Sequence, residues 1–185
     1  FPTRRSSDLS RLSRDSRWGN FWSVSGSWRL SQEAFMESLS NVITDAKIRA
    51  SYGVNGTQPK DYYGYMGVYE FGYNYNGNGG SSEARFYNPS LKWEKNYATN
   101  IGIDLTLFNR LTVSAEWYNR ETKDLLMDKP ISAAVGVINS SGVANMLVNV
   151  GSMRNRGFEL ELKSTNIQNK DLLWTTSLNI GHNKN

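Results

Sequence analysis

Glu159 and Glu161 stand two residues apart in the run Phe158-Glu159-Leu160-Glu161-Leu162, so on a strand their carboxylates share one face. Two carboxylates held a suitable distance apart can act as acid and base in glycoside cleavage. Their strict alternation with Phe158, Leu160 and Leu162 fits a polar wall better than a catalytic pair. His182 lies in a Gly and Asn context with neither a nucleophile nor a second ligand in view, and it reads as a solvated loop residue. One His and no Cys exclude a multi-histidine or thiolate metal site as well as a disulfide. No metal and no cofactor are expected, and the chain does not read as an enzyme. Asn55-Gly56-Thr57 and Asn139-Ser140-Ser141 match the glycosylation sequon, a pattern too common by chance to carry weight.

The strongest candidate for recognition is an aromatic run, Tyr62, Tyr63, Tyr65, Tyr69, Phe71, Tyr73 and Tyr75. Tyrosine offers a flat apolar face with a polar tip, which suits sugar rings, peptides or a partner protein. The run falls in a stretch from Gly53 to Pro89 that is rich in Gly and Asn and lacks sustained periodicity, so it reads as a long loop with room for a hairpin of its own. Loops held on a rigid scaffold are where binding concentrates. Tyr62, Tyr63 and Tyr65 are therefore the expected ligand-binding residues, with packing against neighbouring loops as the alternative.

A scaffold for such a loop is legible in the composition. Aromatics make up 12% of the 185 residues, and 16 Gly stand beside only 4 Pro, a mixture that favours strands and turns. The formal charge is +4, but the 21 basic residues are scattered among 17 acidic ones without a stripe, which argues against nucleic acid. No segment approaches the roughly 18 apolar residues a membrane helix requires. A transmembrane barrel stays open, because its strands satisfy the bilayer on one face only and keep average hydropathy low, here -0.56.

Six segments show the period-2 pattern of strands. Trp22, Val24, Gly26 and Trp28 alternate with Ser23, Ser25 and Ser27. After two helix-like turns around Ser31 to Leu39, Ala46, Ile48, Ala50 and Tyr52 oppose Lys47, Arg49 and Ser51. The longest alternation sets Leu91, Trp93, Tyr97, Ile101, Ile103, Leu105 and Leu107 against Lys92, Glu94, Asn96, Asn100, Asp104 and Thr106. Phe108-Asn109-Arg110 reads as a tight turn into Leu111, Val113, Ala115 and Trp117. Phe158 to Lys163 and Leu172 to Ile180 complete the set. Connections alternate between short ones, at Asn109 and at Asn166 to Lys170, and long ones, at Gly53 to Pro89 and Asp124 to Arg156. Outer-membrane barrels sort their loops this way, and their aromatics ring both interfaces, as Trp22, Trp28, Trp93, Trp117 and Trp174 would.

The chain opens without an initiator Met or a signal segment, as expected of a piece of a longer protein. Residues 1–9, Phe1-Pro2-Thr3-Arg4-Arg5-Ser6-Ser7-Asp8-Leu9, look like an in-frame translation of a sequencing adapter and are set aside as a non-native tail; residues 10–185 form the barrel segment.

Several runs, in order, resemble the SusC/RagA family of TonB-linked outer-membrane receptors of Bacteroidetes. They are Trp18-Gly19 with Ser23-Val24-Ser25 and Trp28-Arg29; Arg49-Ala50-Ser51-Tyr52-Gly53 with Gly56 and Gln58, where Thr57 replaces the usual Asn; and Asn88-Pro89-Ser90-Leu91-Lys92-Trp93-Glu94. Asn100-Ile101-Gly102-Ile103-Asp104, Tyr118 to Leu126, Asn149 to Glu159 and Asn183-Lys184-Asn185 continue the match. The resemblance implies an all-β fold, a transmembrane antiparallel β-barrel segment of about six strands cut from a larger barrel. It further implies a plug domain missing from this chain, energy delivered through TonB, a SusD-like lipoprotein lid, surrounding outer-membrane lipid, and import of glycans or peptides. Two rivals make different demands. A passive porin would lack an upstream plug, and a soluble carbohydrate-binding β-sandwich would not fractionate with membranes.

Overall fold

A computed structural model describes residues 3–8, 11–135 and 145–185; side chains of residues 3–8, Tyr75 and Ala133 lie outside that description, as does the sequon at Asn139. Seven antiparallel strands form one sheet: β1 (Thr3–Asp8), β2 (Trp18–Arg29), β3 (Ile43–Thr57), β6 (Glu94–Leu107), β7 (Leu111–Lys123), β10 (Ser152–Gln168) and β11 (Leu173–Lys184), adjacent in that order. Two hairpins stand apart, β4 (Val68–Tyr75) with β5 (Asn78–Arg85) and β8 (Leu126–Pro130) with β9 (Asn145–Asn149). The fold is all-β and the barrel is not closed by these strands. Six of the seven are those legible in the sequence. The seventh, β1, comes from the segment set aside as a tail, its backbone pairing with β2 from Thr3 opposite Ser23 to Asp8 opposite Trp18.

Register turns the alternation of single strands into two chemically distinct faces. One row across the sheet reads Trp28, Ile48, Ile103, Ala115, Leu160, Ile180. The next, one residue along and on the opposite face, reads Ser27, Arg49, Gly102, Glu116, Glu159, Gly181. On β6 the apolar face runs from Thr99 to Leu107 without a charge, about 26 Å along the strand at roughly 3.3 Å per residue. That length suits the apolar band of a membrane barrel, roughly 25 Å tall. Ile103 remains 43% exposed and Leu178 50%. No second sheet covers this face among the described residues, as the sandwich rival would require.

Turn chemistry fixes the register at both ends. Phe108 and Asn109 both have positive φ, 53° and 54°, and Arg110 N–H donates to Leu107 O at 3.0 Å, the mirror-image turn that matches strand twist. Asn76-Gly77, with φ of 50° and 83°, closes the β4–β5 hairpin in the same way. Residues Leu30–Gln32 and Ala34–Leu39 form two short 3₁₀ turns, in keeping with the turn element expected there. The last turn falls a little later than the sequence suggests, with Asn169 N–H donating to Leu172 O at 3.0 Å.

Three sequence assignments require correction. Leu91 and Trp93 do not belong to the exposed strand face: β6 starts at Glu94, and both side chains are buried in a small core with Leu12 at the loop-side end of the sheet. Trp93 is therefore not part of an aromatic girdle. His182 is not in a loop but within β11, opposite Phe158, with their rings 6.0 Å apart.

Candidate functional site at the loop-side rim

The run Asn88 to Glu94 organises the rim residue by residue. Asn88 Nδ2 donates to Leu147 O at 2.8 Å, while its Oδ1 accepts from Ser90 N–H at 3.2 Å. Leu91 is fully buried, and Lys92 Nζ lies 3.0 Å from Asp124 Oδ1. Trp93 Nε1 donates to Arg17 O at 3.1 Å, and its ring meets Phe21 edge-on at 5.1 Å. Glu94 Oε2 accepts from Leu126 N–H at 3.4 Å. Asn149 completes the clasp: Lys92 N–H donates to its Oδ1 at 2.8 Å, and its Nδ2 donates to Lys92 O and Asp124 O, both at 2.9 Å. One amide thus supplies what a neighbouring strand would give Lys92 and also ties down the second long loop.

The three expected binding tyrosines do different things. Tyr65 packs against the Leu12, Leu91 and Trp93 core, and Asn88 N–H donates to its backbone O at 2.7 Å. Tyr62 is exposed, with the Arg11 guanidinium 4.0 Å over its ring. Arg11 also donates through Nη1 to Pro59 O at 2.9 Å and Lys60 O at 3.0 Å, so it staples the start of the first loop. Tyr63 is exposed on a backbone of φ 55°, a costly conformation for a bulky residue. Beyond them Tyr69 and Phe71 project from β4, Phe71 at 83% exposure. Tyr73 hydroxyl lies 3.4 Å from Glu70 Oε2; partial burial, then the charge of Glu70 and this hydrogen bond, raise its pKa above the ordinary phenol value.

Next to the tyrosines the two hairpins frame a polar trough that sequence inspection missed. Hollows of about 320 and 310 Å³ adjoin through shared Asp61, Asp128 and Leu147; Thr57, Pro59 and Glu94 line the first, Glu70, Arg85 and Asn145 the second. No local pattern could have revealed it, because its walls come from both long loops. Arg85 Nη2 sits 3.7 Å from Asp61 Oδ2, an exposed pair of little energetic weight.

The polar face of the sheet is a second candidate surface. Arg49 lies across Gly102, where any Cβ would crowd its guanidinium, and reaches Asp104 Oδ2 at 3.3 Å and Glu116 Oε2 at 2.9 Å. Hollows of about 510 and 500 Å³ flank it, the first among Ser25, Ser27, Ser51 and Asn100, the second among Glu116, Glu159, Glu161 and Asn179. Glu159 and Glu161 do share a face, as their spacing requires, and face Gly181 and Asn179 across the ladder. The register places them in an extended polar wall, where they can hold water or a polar solute.

The family model for the TonB dependent receptor-like β-barrel matches residues 2–183. The chain belongs to that receptor family. Among curated receptors it is 37% identical over 177 residues to TonB-dependent receptor P39 of Formosa agariphila, covering 95% of this chain and 16% of that protein. It is 34% identical to TonB-dependent receptor SusC of Bacteroides thetaiotaomicron, over 99% of this chain and 18% of SusC. A solved structure of the RagAB peptide importer in its closed-closed state superposes with a TM-score of 0.83 at 32% identity, covering 98% of this chain and 19% of that one. This receptor segment therefore spans less than a fifth of each of these three relatives, and the SusC/RagA resemblance in its sequence rests on real kinship.

Proposed function

We propose that the full-length protein is an outer-membrane receptor that imports a glycan or peptide, energised through TonB, plugged by its own amino-terminal domain and lidded by a SusD-like lipoprotein. The present segment supplies wall and mouth. The observation that carries this reading is the two-faced sheet: an uncharged apolar face fit for lipid, backed by a polar wall fit for a water-filled lumen. Kinship to SusC and to the RagAB peptide importer supports the transport class and suggests the range of substrates. Tyr62 and Tyr63 bear the capture role, at the edge of the trough around Asp61 and Asp128. We further propose that residues 1–9 are foreign, held at the edge of β2 by backbone bonds that are indifferent to side chains. Sequencing the flanking DNA tests both ideas: a plug-coding region upstream and a neighbouring SusD-like gene are expected, and a different sequence in place of residues 1–9. Uptake of the cognate nutrient should stop in cells lacking TonB, and persistence of uptake there would favour the passive porin.

A further inference from the structure

The outward face of the sheet ends on the loop side in a repeated order of side chains. On β6 the apolar run gives way to Tyr97 and then Lys95; on β10 to Phe158 and then Arg156, followed by Arg154; on β11 to His182 and then Lys184. Trp117 and Lys123 of β7 bracket the same zone, with Asn119 and Glu121 between them. Register sets like charges side by side twice, Lys95 opposite Lys123 and Arg156 opposite Lys184, and sets opposite charges side by side once, Arg154 opposite Glu121. Cross-strand neighbours on one face are about 5 Å apart at Cβ, and like charges there are destabilising. The one outward carboxylate in the zone, Glu121, is 3.4 Å from Lys123. Arg154 Nε donates to Asn119 Oδ1 at 2.7 Å, which holds its guanidinium along the wall, and Arg154, Arg156 and Lys184 are exposed without an ion pair among the described residues. At the turn-side end the same strands carry Ser164, Thr176 and Trp174 and no outward charge. The band is thus one-sided, net positive and continuous with the apolar surface below it, and Arg156 and Lys184 stand side by side in it with no carboxylate opposite either.

We propose that Arg154, Arg156 and Lys184 bind the phosphate groups of an outer-leaflet glycolipid whose acyl chains lie on the apolar rows below. Phosphate oxygens accept several charge-assisted hydrogen bonds at once, and a guanidinium beside an ammonium offers the matching donors. The position fits a headgroup: one step along the strand beyond Phe158 and His182, where aromatic rings sit at a membrane interface. Cationic side chains at such a level attract anionic lipid over about a Debye length. A soluble anion would have no use for the adjoining apolar rows, which favours lipid as the occupant.

This inference rests on the barrel reading, and the test separates the two. The full-length receptor, in nanodiscs of phosphatidylcholine, would be titrated with bisphosphorylated lipid A and with lipid A stripped of its phosphates, and the lipid retained counted by native mass spectrometry. Folding in lipid is monitored by heat resistance on a gel; its loss in the wild type would sink the barrel reading itself. Wild type should retain the phosphorylated form at least tenfold better, and R154Q/R156Q/K184Q should abolish that preference while keeping heat resistance. Should the triple variant not fold, the wild-type preference and its resistance to displacement by millimolar inorganic phosphate still decide. Equal retention of both lipids, full displacement by free phosphate, or an unchanged preference in a folded triple variant would overturn the proposal.

Discussion

The sheet wall and the loop-side rim use apolar side chains in opposite ways. On the wall Ile101, Ile103, Leu178 and Ile180 are 43–50% exposed, in unbroken rows that no second layer covers among the described residues. At the rim Leu12 and Leu91 are fully buried and Trp93 is 8% exposed, in a small core that comprises seven side chains among the described residues. The wall is specified by period and register, and in the proposed receptor its solvent is lipid. The rim is specified by jigsaw packing and named hydrogen bonds, as a soluble domain is. One chain therefore carries two rules of folding, and each predicts its own failures.

The largest effect should come from the rim. Trp93→Ala removes the ring that Phe21 and Leu91 pack on and should cost about 3–5 kcal/mol, with Leu91→Ala at about 2–5 kcal/mol. Heat resistance of the full-length protein in lipid reports both. On the wall the sensitivity is to charge. Ile103→Arg should cost about 2–4 kcal/mol near mid-membrane. Asp104→Asn, on the other face, loses a half-exposed contact with Arg49 and should cost at most about 1 kcal/mol. Comparable costs at 103 and 104 would mean the faces are misassigned.

Glycines sharpen the contrast. A Cβ on Gly56 would run into the Phe21 ring, whereas one on Gly26 meets nothing within 4 Å. Gly56→Ala should destabilise by about 1–3 kcal/mol through overpacking, and Gly26→Ala should be close to neutral. The tyrosines divide along the same line. Tyr65→Ala, at the core, should lower surface abundance. The Tyr62→Ala/Tyr63→Ala pair should leave abundance intact and weaken substrate capture about tenfold, roughly 1.4 kcal/mol of stacking. Normal growth on the cognate nutrient by the double variant would end their capture role. The smallest effect concerns Tyr73, whose phenol should ionise above the ordinary tyrosine range in a spectrophotometric titration. Glu70→Gln should lower that midpoint by removing the charge, part of the cause.

How much of this the sequence revealed follows from the same division. Wall strands are local objects: Trp22 to Trp28, Ala46 to Tyr52 and Ile101 to Leu107 declare their faces by alternation alone, and pairing adds only register. The rim is non-local. Leu91 and Trp93 continue the odd-numbered alternation of β6 by coincidence, so period alone assigned them to the exposed face; their partners, Leu12, Phe21 and Leu147, are far away in sequence. Asn149 looked like one letter of a family motif, and its work as a clasp on Lys92 and Asp124 is visible only once three segments meet. His182 was misread because Gly181 and Asn183 suggest a loop, while the register with Phe158 makes it a strand residue. The trough at Asp61 and Asp128 likewise has no local signature.

The central claim is that alternate residues of β6 meet lipid and water. Since the chain has no Cys, single substitutions Thr99→Cys through Leu105→Cys in the full-length receptor give a clean scan, provided the remaining protein is also free of thiols. Each would be treated in lipid with a water-soluble thiol reagent and, after labelling under denaturing conditions and refolding, probed with a lipid-phase quencher. Positions 99, 101, 103 and 105 should be quenched and unreactive, and positions 100, 102 and 104 reactive and unquenched. Uniform reactivity along the strand, or quenching at 100, 102 and 104, would contradict the account.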